Sequence, residues 1–445
     1  MKITIVGAGR VGKYLAKYFS SESQDVYLID TDSEKLSVLE SDFNMRTFVG
    51  SPTDFNILRE AKADKADIFV AVTSSTSDNL VACALAKSMG ARKTIARVDR
   101  YEFIDSSNSE VVRRMGVDNM VYPDFLAAST IMNSLEHPWC RSWNEFNNGA
   151  ILLAAVRVDE DAPIVGHQLK KLAGDSEIFH ISALRRHNST IIPRGNDHIQ
   201  PNDILYITLV KDGLDRVLFL TGKADYGIRR VVIMGGSKAA ILVAGMARDK
   251  FAVTIVEKDI DKCRELAEAC PECTIIYGDA SEQDVMEESY LNKADAFVAL
   301  SKNSESNIIA CLTAKEAGVR KTIAEIEKKQ FINKAESFRI GAIINQPIIT
   351  ANAIYQLILE TDADSSRCFA MTHAEVARMR ITDNSYLASA PIKELKVPHE
   401  LTFAGLIRDK KGEIVSGATH LRAGDEVIIF SLKGSLSKVE KFFRK

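Results

Sequence analysis

The chain has 445 residues, 46% of them hydrophobic and 26% charged, with a formal net charge of −3. That length exceeds what one core supports and fits about three or four domains. The near-neutral charge leaves no footprint for nucleic acid or an anionic membrane surface.

A buried strand is expected at Ile3–Val6, then the turn Gly7-Ala8-Gly9-Arg10-Val11-Gly12 with a helix over Gly9–Ser20. A strand at Val26–Asp30, a helix at Ser33–Ser41 and strands at Thr47–Val49, Ile68–Val72 and Thr94–Arg97 follow. Short apolar strands alternating with helices predict a parallel, doubly wound sheet. Pro123, tolerated in a first helical turn, opens a helix through Leu135. A strand-rich stretch follows, with turns at Pro193-Arg194-Gly195 and Pro201-Asn202-Asp203.

The pattern then starts again. Lys65-Ala66-Asp67-Ile68-Phe69-Val70-Ala71 recurs as Lys293-Ala294-Asp295-Ala296-Phe297-Val298-Ala299. Arg92-Lys93-Thr94-Ile95-Ala96 recurs as Arg320-Lys321-Thr322-Ile323-Ala324 at the same offset, and Pro347 opens a helix through Ile358 as Pro123 does. Further on, Gly195, Ile199 and Asp203-Ile204 match Gly417, Leu421 and Asp425-Glu426. The order is A–B–A–B. The expected fold class is α/β, with two doubly wound Rossmann-like domains, each followed by a small α+β domain. The expected divisions are Rossmann 1–120, linker helix 121–145, small domain 146–225, Rossmann 228–345, linker helix 346–366 and small domain 367–445.

Gly7-Ala8-Gly9-Arg10-Val11-Gly12 is a G-x-G-x-x-G between a strand and a helix, followed by Asp30 at the end of the second strand. Gly7 permits the tight turn, Gly9 admits a pyrophosphate to the backbone, and Gly12 allows close helix packing. The helix N-terminus offers N–H groups and a positive dipole end to phosphates, and Asp30 suits ribose hydroxyls. An acid there disfavours a 2′-phosphate, so NAD(H) or an adenine nucleotide is expected rather than NADP(H). Thr73, Ser74 and Arg97 end later strands at the carboxyl edge, where phosphate or ribose lies. In the second half Ser237 stands where Gly9 stands, Ala240 where Gly12 stands and Glu325 where Arg97 stands, while Glu257 keeps the acid. The second site is therefore the weaker expectation.

No metal site or catalytic residue is expected. Cys270-Pro271-Glu272-Cys273 lacks a second ligand pair at zinc spacing. The rival enzyme reading, an NAD-dependent oxidoreductase, needs an acid/base group and a substrate anchor, and neither small domain presents them. Trp139 and Trp143 suit packing rather than ligand stacking. The Pro123 and Pro347 helices carry more apolar surface than a connector needs. It is assigned partly to their own domains and otherwise to another Rossmann domain, within or between chains, so a dimer or tetramer is expected. No apolar run reaches the roughly 20 residues of a membrane span, the N-terminus lacks a signal peptide, and seven scattered cysteines suit a reducing cytoplasm.

Taken together, the glycine loop with Asp30, Ala71-Val72-Thr73-Ser74-Ser75, Asn79-Leu80-Val81-Ala82-Cys83, Ile95-Ala96-Arg97-Val98, Ile192-Pro193-Arg194-Gly195 and Leu421-Arg422-Ala423-Gly424-Asp425 resemble the TrkA family. These are peripheral regulatory subunits of bacterial Trk potassium-uptake systems, built from two tandem units of the kind that regulates conductance of potassium channels (RCK). The resemblance covers essentially the whole chain. It implies a cytoplasmic, membrane-associated, oligomeric protein that binds NAD/NADH, or ATP/ADP in some members, beneath a TrkH- or TrkG-like potassium-translocating subunit. It also implies dinucleotide binding through Gly7–Gly12, Asp30, Thr73, Ser74 and Arg97.

Overall fold

The computed structural model describes residues 1–21, 24–43, 45–175, 177–187, 189–280, 282–359, 365–369 and 374–432. The first sheet contains β1 (Lys2–Val6), β2 (Asp25–Asp30), β3 (Arg46–Val49), β4 (Ile68–Ala71), β5 (Lys93–Arg97) and β6 (Asn119–Val121). Its spatial order is β3-β2-β1-β4-β5-β6, and every pairing is parallel. This is the Rossmann order, with the strand sequence reversing between β1 and β4, where ligands lie. Between the strands run α1 (Arg10–Ser21), α2 (Ser33–Asp42), α3 (Phe55–Glu60), α4 (Thr76–Met89) and α5 (Ser106–Arg114), and α6 (Pro123–Glu136) follows β6. Ile3, Ile5, Leu28, Phe69 and Val70 are fully buried, because helices cover both faces of a parallel sheet.

The first small domain is antiparallel throughout. Its strands β7 (Ser142–Phe146), β8 (Ile151–Arg157), β9 (Phe179–Arg186), β10 (Ser189–Ile191) and β11 (Ile204–Leu209) stand in the order β10-β9-β11-β8-β7, and α7 (Leu214–Thr221) follows. The strand β7 begins inside the segment expected as linker. There Trp143 and Phe146 are buried, and Trp139 meets Trp143 edge-on at 5.7 Å, so both tryptophans are core.

The second half repeats the plan. Strands β12 (Arg230–Met234), β13 (Ala252–Glu257), β14 (Thr274–Tyr277), β15 (Ala296–Ala299), β16 (Lys321–Glu325) and β17 (Ala342–Ile344) take the order β14-β13-β12-β15-β16-β17. The helices are α8 (Lys238–Ala247), α9 (Ile260–Ala269), α10 (Gln283–Glu288), α11 (Ser304–Glu316), α12 (Lys329–Ser337) and α13 (Gln346–Leu359). The last sheet, β18 (Ser365–Phe369), β19 (Ala374–Arg380), β20 (Leu401–Arg408), β21 (Lys411–Ile414) and β22 (Glu426–Leu432), is antiparallel in the order β18-β19-β22-β20-β21. Apolar residues of the two antiparallel sheets share one core, in which Leu153, Ala183 and Tyr206 join Val376, Ala404, Ile428 and Phe430.

One compact unit gathers Met1–Thr130, Ser237–Val243 and Ile344–Thr361. Within it α13, from the second half, packs on α1. Tyr18 donates to the Tyr355 hydroxyl at 3.1 Å, their rings meet edge-on at 4.8 Å, and Ile354 and Tyr355 are buried. The Lys93 ammonium donates to the Leu357 carbonyl at the end of α13, where a helix leaves carbonyls without partners. The remainder of the described chain forms a second unit. Inside it Lys321, the counterpart of Lys93, donates to Pro138 O at 3.2 Å and Cys140 O at 2.7 Å, just beyond α6. These contacts correct one expectation. On both helices the large apolar side chains are buried or half-buried within the chain, so their surface is no ground for an oligomer.

Candidate functional site

Gly7 has a φ of +100°, and a Cβ there would stand 3.0 Å from Thr73 N, so the turn demands glycine. A Cβ on Gly12 would strike Gly7 O at 1.8 Å; this glycine lets the helix approach the turn itself. At Gly9 nothing lies within 4 Å of the Cβ position, and both Gly9 and Arg10 are exposed. Ala8 and Val11 turn their side chains into the core and leave their main chain to the loop.

Asp30 holds this loop. Its Oδ2 accepts from Ala8 N at 2.5 Å and its Oδ1 from Asp32 N at 2.9 Å. A carboxylate oxygen accepts more than one hydrogen bond, so Asp30 can position the turn and still receive ribose hydroxyls. Asp32 in turn caps α2 through the N–H groups of Glu34 and Lys35, and Lys35 holds its carboxyl below the usual range.

The far wall is organised by a residue the motif reading passed over. Asn79, 1% exposed, accepts at Oδ1 from Thr73 N (2.9 Å) and the Thr73 hydroxyl (2.7 Å). Its Nδ2 donates to Thr73 O at 3.2 Å and Arg97 O at 2.9 Å. Thr73 is thereby turned onto Asn79, while Ser74 is exposed. Among the described residues the Arg97 guanidinium has no carboxylate partner. Asp99, two residues on, accepts from the Thr76 hydroxyl at 2.7 Å, which lowers its carboxyl, with Lys238 3.7 Å from its other oxygen. The signal for Asn79 lay in the repeat, since Asn307 makes the same four bonds to Ser301 and Glu325 O.

The second copy keeps the frame and alters the mouth. Gly235 has a φ of +98°, and Glu257 Oε2 accepts from Gly236 N at 2.6 Å. The Ser237 hydroxyl accepts from Ala240 N at 3.2 Å, covering an N–H of the helix N-terminus. Ala240 carries the methyl that Gly12 lacks, and it is fully buried. Among the described residues no group of three His, Cys, Asp or Glu side chains could hold a metal, and no helix is long and apolar enough to cross a membrane.

Fold and site together define a duplicated protein of the Rossmann ligand-binding class, each unit paired with an antiparallel domain. The chain belongs to the TrkA family: the TrkA-N domain matches residues 3–123 and 231–346, and the TrkA-C domain residues 153–220 and 376–444. It is 27% identical to the Trk system potassium uptake protein TrkA of Halomonas elongata over 100% of this chain and 99% of that protein. The Haemophilus influenzae protein of the same name is also 27% identical, with the same coverage. Among solved structures, the GsuK RCK domain superposes with a TM-score of 0.62 at 16% identity, covering 99% of this chain and 94% of that one. The GsuK channel bound to NAD gives 0.62 at 15% (99% and 78% covered), and GsuK bound to ADP 0.52 at 13% (81% and 70%).

Proposed function

We propose that the chain is a nucleotide-sensing regulatory subunit of a Trk-type potassium-uptake system, with its ligand held by the first Rossmann copy. The observation that carries this reading is the open face at Gly9 beside the Asp30-held turn, against the hydroxyl that Ser237 lays on the helix end of the second copy. The pyrophosphate of NAD/NADH, or the phosphates of ATP/ADP, rests on the main chain of Gly7, Ala8, Gly9, Arg10, Val11 and Gly12 at the start of α1. Asp30 receives the ribose, Ser74 and Arg97 meet phosphate, and Thr73 keeps the far wall in place. Glu257 is the corresponding acid of a weaker second site. The names of the full-length relatives and the NAD- and ADP-bound forms of GsuK support the assignment.

On this reading the division into Rossmann domains 1–120 and 228–345, linkers 121–145 and 346–366, and small domains 146–225 and 367–445 serves sensing rather than catalysis. The chain docks at the cytoplasmic face on a TrkH- or TrkG-like subunit, as a dimer or tetramer. Nucleotide shifts the partner between states only through different affinities for them. No hydride transfer accompanies binding.

The test pairs titration calorimetry of the full chain with rubidium uptake at low potassium in a strain lacking the gene. Wild type binds one of NAD, NADH, ATP or ADP and restores uptake. Gly9→Asp, which sets bulk and negative charge at the phosphate position, loses the dominant binding and changes uptake while remaining folded. Normal uptake in the deletion strain, with no other potassium system present, overturns the assignment.

A further inference from the structure

Arg157 at the end of β8 and Arg185 on β9 both stand in register with Ile204 of β11. Residues directly opposite on neighbouring strands share a face, so two arginines flank an isoleucine in one row. Arg141, just before β7, joins them. It donates to Ile340 O at 2.9 Å and lies 3.6 Å from Glu336 Oε1. Arg185 reaches that same oxygen at 2.6 Å, and Arg157 donates to Glu336 O at 3.3 Å. Three guanidinium groups thus converge on one residue, Glu336, near the end of α12. Close by, Arg339 is engaged by Glu160 at 2.6 Å, and Lys315 donates to the carbonyls of Phe338 and Arg339.

These five cations face two carboxylates. The C-terminus of α12 supplies only about half a negative charge, which leaves an excess of about two and a half positive charges. The site is built rather than splayed into water: Arg185 is 5% exposed, and its Nε finds no acceptor among the described residues. Burial and the neighbouring Arg141, Arg339 and Arg185 push the Arg157 guanidinium down to about 10. Unbalanced buried charge is costly, and the duplicated row is built differently. The equivalent row of the second small domain reads Arg380–Glu426–Ile407, with an acid in the centre and one arginine removed. There Glu426 takes Arg378 at 3.6 Å. Of these two rows, the first has no acid within it, and its arginines turn to Glu336 on α12 instead.

We propose that Arg141, Arg157 and Arg185, with Lys315 at the rim, bind a small phosphate-type oxyanion, at a site separate from both glycine loops. Guanidinium forks match the oxygens of phosphate, and the Arg185 Nε–H supplies a donor awaiting one. Glu336 is the occupant's competitor for the same arginines.

Equilibrium dialysis of the full chain against radiolabelled orthophosphate, at constant ionic strength, tests this. It is run in the Gly9→Asp background so that the first glycine loop does not contribute. One saturable phosphate per chain is expected. Arg157→Gln and, separately, Arg185→Ile, which installs the residue the second domain carries there, should each weaken binding at least tenfold, with unchanged circular dichroism. Glu336→Gln should tighten it several-fold, an effect no merely structural role produces. Competition by phenyl phosphate marks a site open to phosphomonoesters, and its failure a closed site for the free ion. Absence of saturable binding, indifference to Arg157→Gln, or weaker binding in Glu336→Gln overturns the proposal.

Discussion

Asn79 and Gly12 are small residues whose weight comes from geometry. Asn79 satisfies all its hydrogen-bonding capacity inside the wall of the site, so Asn79→Ala strands the Thr73 amide and the carbonyls of Thr73 and Arg97. Urea unfolding should register a loss of about 2–4 kcal/mol, with weaker nucleotide binding as well; a loss below about 0.5 kcal/mol would contradict the network. Gly12→Ala drives a methyl into Gly7 O. Nucleotide affinity should fall at least tenfold by calorimetry, whereas Ala240→Gly, its mirror in the second half, should change stability by no more than about 1 kcal/mol. The turn at Gly7 and the close approach at Gly12 were readable from the motif because both are set by the loop's own backbone. The work of Asn79 was not, since its partners lie on a strand end and a loop that only the fold brings together.

At the level of elements, the sequence pattern placed the first five strands of the first Rossmann sheet and the two proline-started helices to within a residue or so, because apolar period and glycine or proline punctuation are local signals, while the three-residue β6 went unread. It could not say which surface the helices would cover, since that depends on a partner far away along the chain. The lysine at the end of α6 is the clearest case. Lys321 is 2% exposed, and burial pushes its ammonium down to about 8 from an ordinary 10.5. Its folded state therefore holds fewer protons than its unfolded state between about pH 8 and 10.5, so this group adds stability as pH rises through that window, by at most about 3 kcal/mol. Cys140, whose thiol burial raises to about 12, acts in the opposite sense above about pH 9. Comparing urea midpoints of wild type and Lys321→Met at pH 7, 8.5 and 10 isolates the lysine. The difference should move in favour of wild type with rising pH, and a flat difference would show that Lys321 does not titrate there.

Across the molecule, duplication has left two frames with unequal mouths. Both copies keep the positive-φ glycine, the acid on the loop and the buried asparagine, but only the first leaves its helix N-terminus uncovered at the Gly9 position. Calorimetry should find one dominant site, and Ser237→Gly should raise affinity at the second while Gly9→Asp leaves the second unchanged. Two equal sites in wild type would contradict the asymmetry. These measurements need the intact chain. A fragment ending near residue 223 would lose α13 from the face of α1, and a fragment starting near 226 would lose the segment that Lys321 grips.

The placement of α13 on α1 bears on how such a chain could have arisen. A protein of half this length would have an α1 face with no α13 of its own to cover it in this arrangement, and would obtain one by borrowing from a second molecule. Each would then depend on the other's abundance. Joining the copies end to end replaces an encounter that dilution can defeat by one whose local concentration is fixed near the millimolar range by the connecting chain. Once both copies are always present in equal number, neither has to serve as its own twin. One loop can then accumulate changes such as Ser237 while its sibling stays under full constraint.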